Sequence, residues 1–193
     1  MASVVSICNS ALNQLGAASI TALTDNSKNA RLCNERYETV RDAVFRSHPW
    51  NCLIKRQQLA QDAATPAYGF SYQFSLPSDC LRLLNLDAYN SDHKVEGRKI
   101  LCNEASIKIA YISQVTDPNE MDVLLRETIS AGIAADLGYA ITANLQVSKL
   151  MQEKYQYKLS EARHTDASEG YNVDPQNGQV DQILTEDFIN SRY

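Results

Sequence analysis

The stretch FSYQFSLPSDCLRLLNL, residues 70–86, constrains the fold more than any other part of the chain. Its first half alternates apolar and polar side chains with the period of a half-buried strand, and the apolar positions are Phe70, Tyr72, Phe74 and Leu76. Pro77, Ser78 and Asp79 favour a turn. At Leu83–Leu84 the apolar run shifts from odd to even positions, which indicates a β-bulge or a strand buried on both faces. We therefore expect a central β-hairpin with which further strands pair.

Helical periodicity lies on both sides of this β region. Ser3 and Gly16 are suited to begin and end a first helix, and Ser27 or Asn29 can cap a second that ends before Pro49. Asp117, Pro118 and Glu120 form a capping-box pattern for a third helix that runs to about Thr142, and a fourth spans about Asn144 to His164. The predicted fold class is α+β. It comprises an antiparallel bundle of about four helices (residues 1–51 and 115–165), an inserted small antiparallel β domain of about four or five strands (52–114) and an extended acidic C-terminal tail (166–193).

Charge is distributed unevenly along the 193 residues. The net charge of −5 belongs to the last segment, residues 166–193, and the rest of the chain is balanced. A basic footprint for nucleic acid is therefore absent. The chain has no run of ~18 apolar residues, so we expect no membrane span. The N-terminus lacks the basic region of a signal peptide, so we expect a cytosolic protein.

Motifs for common chemistries are missing from the sequence. The five cysteines are widely spaced, which is typical of buried apolar side chains and not of a disulfide framework or a metal cluster. No nucleotide-binding loop, nucleophile elbow or metalloprotease pattern occurs. Cys80, His93 and Asp79 could be combined into a nucleophile, base and orienting residue, but closeness in sequence supplies no geometry. We expect no catalytic residue, no cofactor and no metal.

Several ordered segments resemble one protein family. They are Ser10–Gly16 at the end of the first helix, Ala30–Asn34 leading a helix that ends in His48-Pro49-Trp50-Asn51, the aromatic strand before Leu76–Arg82, Val95–Arg98 before a strand ending in Tyr111-Ile112, and Thr116-Asp117-Pro118. In this order they resemble the head-to-tail adaptor of short-tailed bacteriophages, the tail tubular protein A family. The resemblance covers about residues 3–165, and the segment after 165 is less characteristic.

The resemblance implies a helix bundle with an inserted β domain. It also implies a structural virion protein of the phage tail that is assembled in the host cytoplasm. Such an adaptor forms a ring of about twelve identical subunits beneath the portal protein. A tail nozzle protein lies below the ring, tail fibres or spikes are further partners, and DNA passes through the channel without being read.

Three sets of residues are candidates for these contacts. Mixed charges on the second and fourth helices indicate either a solvated face or a subunit interface, at Arg31, Glu35, Arg41, Arg46, Lys154 and Lys158. By family likeness, the loop Asp87–Arg98 would meet the nozzle or the fibres, through Asp92, His93, Lys94, Glu96 and Arg98. After a polar tether, apolar residues return near the C-terminus and are expected to dock on the portal or a neighbouring subunit, unless the terminus is simply frayed: Ile183, Leu184, Phe188, Ile189 and Tyr193.

Two other classes remain open. A head-completion ring protein of a long-tailed phage shares the helix-bundle character, although the inserted β unit favours the short-tailed adaptor. A small cytosolic hydrolase that uses Cys80 or a carboxylate is the enzyme alternative.

Overall fold

The computed structural model describes residues 1–87 and 92–169. The chain divides into two compact units, one made of Met1–Cys52 with the chain from Val115 onward, and one made of Leu53–Gln114. In the described residues, the first unit contains four α-helices and the second contains two antiparallel sheets of three strands each. The expected α+β class, with a helix bundle and a small antiparallel β unit, is therefore confirmed.

The first two helices begin where the sequence predicts. Helix α1 spans Val4–Gln14 and is capped by the Ser3 hydroxyl, which accepts a hydrogen bond from the Ser6 backbone amide. Gly16, at φ 67°, adopts the left-handed conformation that ends this helix. Helix α2 spans Lys28–Arg46, and its cap is Ser27 and not Asn29.

Helix α3 begins later than predicted, and helix α4 extends farther than predicted. Asp117 caps a short 3₁₀ turn, Pro118–Glu120. Helix α3 begins later and spans Val123–Thr142, with Asp122 as its own cap. The predicted start at Pro118 is therefore wrong, because the capping pattern belongs to the turn. Helix α4 spans Leu145–Glu169, so residues 166–169 are helical and do not belong to a tail.

Helix α3 is the centre of the helical unit and packs against α1, α2 and α4. Leu125, Ile129, Ile133 and Leu137, which repeat every four residues along it, are buried. Gly132 permits the close approach of two neighbours, since a Cβ atom there would lie 3.0 Å from Val40 Cγ1 and 3.2 Å from Tyr155 Cε2. Trp50 is 1% exposed, and its indole N–H donates to the Val44 carbonyl at 3.0 Å, so it anchors the chain after Pro49 in the core.

The β unit contains six strands in the described residues. They are β1 (Ile54–Leu59), β2 (Tyr72–Ser75), β3 (Cys80–Leu86), β4 (His93–Glu96), β5 (Lys99–Cys102) and β6 (Ile107–Ser113). One sheet has the order β1-β6-β3 and the other β2-β5-β4. Both sheets contribute to one buried cluster, whose fully or nearly fully buried members include Phe74, Ile100, Cys102, Ile107 and Ile109.

The predicted central hairpin is wrong, because β2 and β3 belong to different sheets. The turn between them diverts the chain: the Leu76 amide donates to the Arg98 carbonyl at 3.0 Å, while the Gln114 amide donates to the Asp79 carbonyl at 2.7 Å. Strand β2 therefore pairs with β5, whereas β3 pairs with β6. The β-bulge predicted at Leu83–Leu84 is confirmed, since the pairing of β3 with β6 shifts register between Leu83 and Asn85.

Candidate functional site

The candidate triad Cys80, His93 and Asp79 is not assembled into a nucleophilic site. Cys80 is 4% exposed at the start of β3, whereas His93 is exposed on β4 in the other sheet. The Asp79 carboxylate accepts hydrogen bonds from Lys55 Nζ at 3.0 Å and from the Tyr111 hydroxyl at 3.2 Å. The Asp79 carboxylate therefore links β1 and β6 of one sheet, and its charge has a structural role there.

The remaining cysteines follow the expectation from their spacing. Cys8, Cys33, Cys80 and Cys102 are buried, and only Cys52 is exposed. Cys8 on α1 and Cys33 on α2 are hydrogen-bonded to each other inside the bundle, and this contact together with burial raises the pKa of the Cys8 thiol. A thiol of raised pKa is a poor nucleophile, which suits a packing role.

The charged face predicted on α2 is partly present. Arg31, Glu35 and Arg46 are exposed. Arg41 was predicted on the same charged face, but it is only 3% exposed and therefore does not lie there. Its guanidinium lies 5.6 Å from the Tyr37 ring centroid and 6.0 Å from that of Phe45, and its Nε donates to the Asp42 carboxylate at 2.8 Å. Arg41 therefore stabilises the bundle by stacking on aromatic faces and does not offer its charge to a partner.

The two candidate residues on α4 differ in their surroundings. Lys158 is half-buried and paired with Glu161 at 3.1 Å. Lys154 is exposed, and in the described part of the chain it forms no ion pair. Lys154 lies at a polar cleft of about 610 Å³ whose other walls come from α1 and α3, with Asn9, Asn13 and Glu127 among its lining residues. The cleft thus adjoins one of the predicted contact residues.

The contact loop predicted at Asp87–Arg98 contains a strand. Residues 88–91 lie outside the described residues, Asp92 is exposed, and His93 to Glu96 form β4, a fully exposed edge strand that pairs only with β5. Lys94 and Glu96 form an ion pair at 2.6 Å. The sequence did not reveal β4, because its residues, HKVE, show no apolar alternation. Among the described residues, no strand pairs with the other edge of β4.

Arg98 differs from its neighbours in the candidate loop. At φ 64° it follows Gly97, at φ 53°, in the turn that joins β4 to β5. Its guanidinium donates to the carbonyl oxygens of Pro77 at 2.7 Å, Ser78 at 3.3 Å and Cys80 at 3.4 Å. The guanidinium of Arg98 therefore holds the turn after β2, and because the residue is exposed its role as a contact residue stays a prediction.

A second cleft, of about 340 Å³, lies on the face of the β2-β5-β4 sheet. Gln73, Leu101 and Lys94 form one cross-strand row at its floor, and the exposed Tyr68 stands in the loop beside it. Lys99 at its rim donates to Asp62 at 2.9 Å, and this hydrogen bond holds the pKa of the Asp62 carboxyl below its usual value. Polar and aromatic groups thus meet at an open surface of the β unit.

Tyr111, in the sheet β1-β6-β3, has a strongly raised pKa. Burial raises the pKa of Tyr111 to about 12, and the negative charge of Asp79 acts in the same direction. Burial opposes ionisation of Asp79, but the hydrogen bonds from Lys55 and Tyr111 hold the pKa of its carboxyl below the usual value. Tyr111 is 3% exposed, so this network is structural and not poised for proton transfer.

A buried polar cluster in the helical unit was not predicted. The Asp166 carboxylate on α4 lies 3.0 Å from His48 Nε2 and accepts the backbone N–H of Asn51, also at 3.0 Å. The Asn51 side-chain amide in turn donates to the Asp166 carbonyl at 2.7 Å. We expected Asp166 in the acidic tail, whereas it lies in α4. The sequence could have indicated this cluster only if the end of α4 had been predicted correctly. The cluster attaches the last turns of α4 to the segment that follows α2.

The tail anchors and part of the predicted contact loop lie outside the described residues. The tail anchors Ile183, Leu184, Phe188, Ile189 and Tyr193 lie outside the described residues. Within residues 1–87 and 92–169, no group of three or more histidine, cysteine or acidic side chains is placed to hold a metal ion. No helix in the same ranges has the length and apolar character needed to cross a membrane.

Comparison with known proteins adds no family to this geometry. No protein-family model matches the sequence, and no curated protein is significantly similar to it.

Proposed function

We propose that this chain is a structural connector protein of a short-tailed bacteriophage, a head-to-tail adaptor that forms a ring of about twelve copies between the portal and the tail nozzle. The observation that carries the proposal is the order of its elements. Helices from both sides of the β region pack into one unit, and the β unit is a single continuous segment, Leu53–Gln114, inserted between them. This is the arrangement that the sequence resemblance implies.

Exposed charges support a ring. Closed rings of identical subunits join two different faces of each subunit. Helices α2 and α4 both pack on α3 and both carry exposed charged residues, among them Arg31, Glu35 and Lys154. Arg31 and Glu35 form no ion pair within the described residues, which leaves both charges for a neighbour.

The β unit supports contact with the nozzle or the fibres. Strand β4 is exposed over its whole length, and its residues Lys94 and Glu96 line the cleft beside Tyr68. Asp92, His93, Lys94, Glu96 and Arg98 remain the proposed contact residues there. The tail anchors are proposed to dock on the portal or on a neighbouring copy.

The charge balance supports passage of DNA without retention. A channel that neutralised many phosphates would bind DNA strongly at low salt. Residues 1–165 have as many acidic as basic side chains. The proposed role requires no catalytic group, cofactor or membrane, and it places the protein in the virion tail after assembly in the host cytoplasm.

Imaging tests the proposal. The purified chain is mixed with the portal protein encoded in the same genome and examined by negative-stain electron microscopy, with Arg31→Glu as the interface variant and Lys94→Glu as its matched control on the β unit. We expect an additional ring on the portal with the wild-type chain and with Lys94→Glu, and an incomplete ring with Arg31→Glu. A chain that never adds to the portal would contradict the proposal.

A further inference from the structure

Helix α4 exposes two large apolar side chains on one face. Leu150 is 57% exposed and Tyr157 is 67% exposed. They are seven residues apart, so they lie on the same side of the helix, about 10 Å from each other along its axis. The buried side of α4 is elsewhere and includes Met151 and Leu159, each 7% exposed. We call Leu150 and Tyr157 with the charged residues between and beside them the α4 outer stripe.

Charged residues flank the outer stripe. Lys149, Glu153 and Lys154 are exposed, and none of them forms an ion pair in residues 1–87 and 92–169. By contrast, Lys158, one residue beyond the stripe, is already paired with Glu161. The stripe therefore combines apolar area with one unneutralised positive charge. Such a surface suits a segment that carries apolar and acidic side chains together.

The chain itself contains such a segment. Beyond Glu169, where α4 ends, the sequence continues for residues 170–193. This segment contains four carboxylates against Arg192 alone. Two of the carboxylates, Glu186 and Asp187, lie next to the apolar residues near the C-terminus, which are Ile183, Leu184, Phe188, Ile189 and Tyr193. Its charge and its apolar content are therefore complementary to the outer stripe.

Reach is sufficient for this contact. Along α4, the distance from Glu169 back to Tyr157 is about 18 Å and to Leu150 about 29 Å. Residues 170–182 would span at most about 45 Å in a fully extended chain. The segment from Ile183 onward can therefore return to the stripe of its own helix, or reach that of an adjacent copy.

We propose that residues 183–193 dock on the α4 outer stripe, with their apolar side chains covering Leu150 and Tyr157 and with Glu186 and Asp187 opposite Lys149 and Lys154. This inference deepens the docking role proposed for the tail and rests on it, because it names the surface of this chain that receives the anchors. Docking on α4 of the same copy or of a neighbouring copy would fix the position of the C-terminal segment before any other protein binds.

Photocrosslinking tests the contact on the purified full-length chain without portal. The photoreactive residue p-benzoylphenylalanine replaces Tyr157, and in a matched control it replaces Gln152, an exposed residue on a different side of α4. We expect crosslinks from position 157 to peptides within residues 183–193, either in one chain or between two copies. Crosslinks that avoid this segment, or that reach it equally from position 152, would overturn the inference.

Proteolysis gives an independent readout. Chymotrypsin cleaves after Phe188, and a docked segment is cleaved only when it opens. Replacing both Leu150 and Tyr157 by serine removes the apolar stripe without altering the buried side of α4, so folding is preserved. We expect about tenfold faster cleavage at Phe188 in this double variant. Equal rates would count against docking.

The two proposals fail separately. If the crosslinks form but no ring assembles on the portal, the adaptor role is wrong and the docking stands. If the ring assembles while the crosslinks and the protection at Phe188 are absent, the adaptor role stands and the docking is wrong.

Discussion

The Nε2 atom of His48 lies 3.0 Å from Oδ2 of Asp166, and each of these residues is only 8% exposed. The same carboxylate accepts the backbone N–H of Asn51. The cluster joins the end of α4 to the segment after α2. Buried polar groups are costly to leave without partners, so a pair of this kind holds two elements in one arrangement.

Removing the Asp166 carboxylate is expected to destabilise the helical unit. Asp166→Ala leaves the His48 ring and the Asn51 amide without their buried partner, and we expect a loss of about 2–4 kcal/mol in the free energy of unfolding. Urea unfolding followed by the fluorescence of Trp50, the only tryptophan, measures this. Glu169→Ala, exposed at the end of the same helix, is the control and should change stability by less than about 0.5 kcal/mol. Similar effects of the two substitutions would show that the buried cluster contributes nothing special.

Arg98 is expected to hold the turn after β2. Arg98→Lys retains the positive charge but loses the planar fork that reaches the Pro77 and Ser78 carbonyls. We expect the Leu76 amide, which donates to the Arg98 carbonyl, to exchange its hydrogen about tenfold faster in this variant. Hydrogen exchange measured by NMR checks this, with Lys94→Gln as a control that leaves the Leu76 amide unaffected. An unchanged exchange rate in Arg98→Lys would remove the turn-holding role.

Gly132 tests how closely the helices pack. In an open helix, Gly→Ala stabilises by about 1 kcal/mol. Here the new methyl group would lie 3.0 Å from Val40 Cγ1, so we expect Gly132→Ala to destabilise by about 1–3 kcal/mol. Adding Val40→Ala should restore part of this loss in thermal or urea unfolding. A more stable Gly132→Ala protein would mean that α3 and α2 are farther apart than described.

These cases show which parts of the fold could be predicted from sequence. The stripe that contains Leu125 and Ile129, and the bulge at Leu83–Leu84, follow from local periodicity, and both are observed. Pairing of β2 with β5 depends on contacts such as the hydrogen bond between Leu76 and Arg98, which are distant in sequence, so the expected hairpin of adjacent strands was wrong.

The candidate site shows the same division. Exposed charges such as Arg31 could be assigned from the helical period, because the period gives the face of a helix. Arg41 could not, since its burial depends on the Tyr37 and Phe45 rings beside it. Asp166 belongs to the helix and not to the tail, and its partner His48 lies in a different element. Long-range polar pairs of this kind leave no local pattern.

Tyr111 gives a pH-dependent prediction. Its pKa in the folded protein, about 12, exceeds the ordinary tyrosine value of about 10, so the folded state holds the phenol proton more tightly than the unfolded state. The resulting contribution to stability is fully present below pH ~10 and is lost as the pH rises to ~12. We expect Tyr111→Phe to lose less stability than the wild type over this range in urea unfolding, and Tyr68→Phe, which changes an exposed residue, to follow the wild type. Parallel curves for Tyr111→Phe and the wild type would contradict this.

The adaptor role is the central claim, and the mass of the complex with the portal tests it most directly. Purified portal rings are incubated with an excess of the chain, separated from unbound protein and measured by native mass spectrometry. We expect a single complex whose added mass corresponds to a complete ring of copies of the 21.5 kDa chain, about twelve of them. A portal ring whose mass is unchanged, or that gains only scattered single copies, would contradict it.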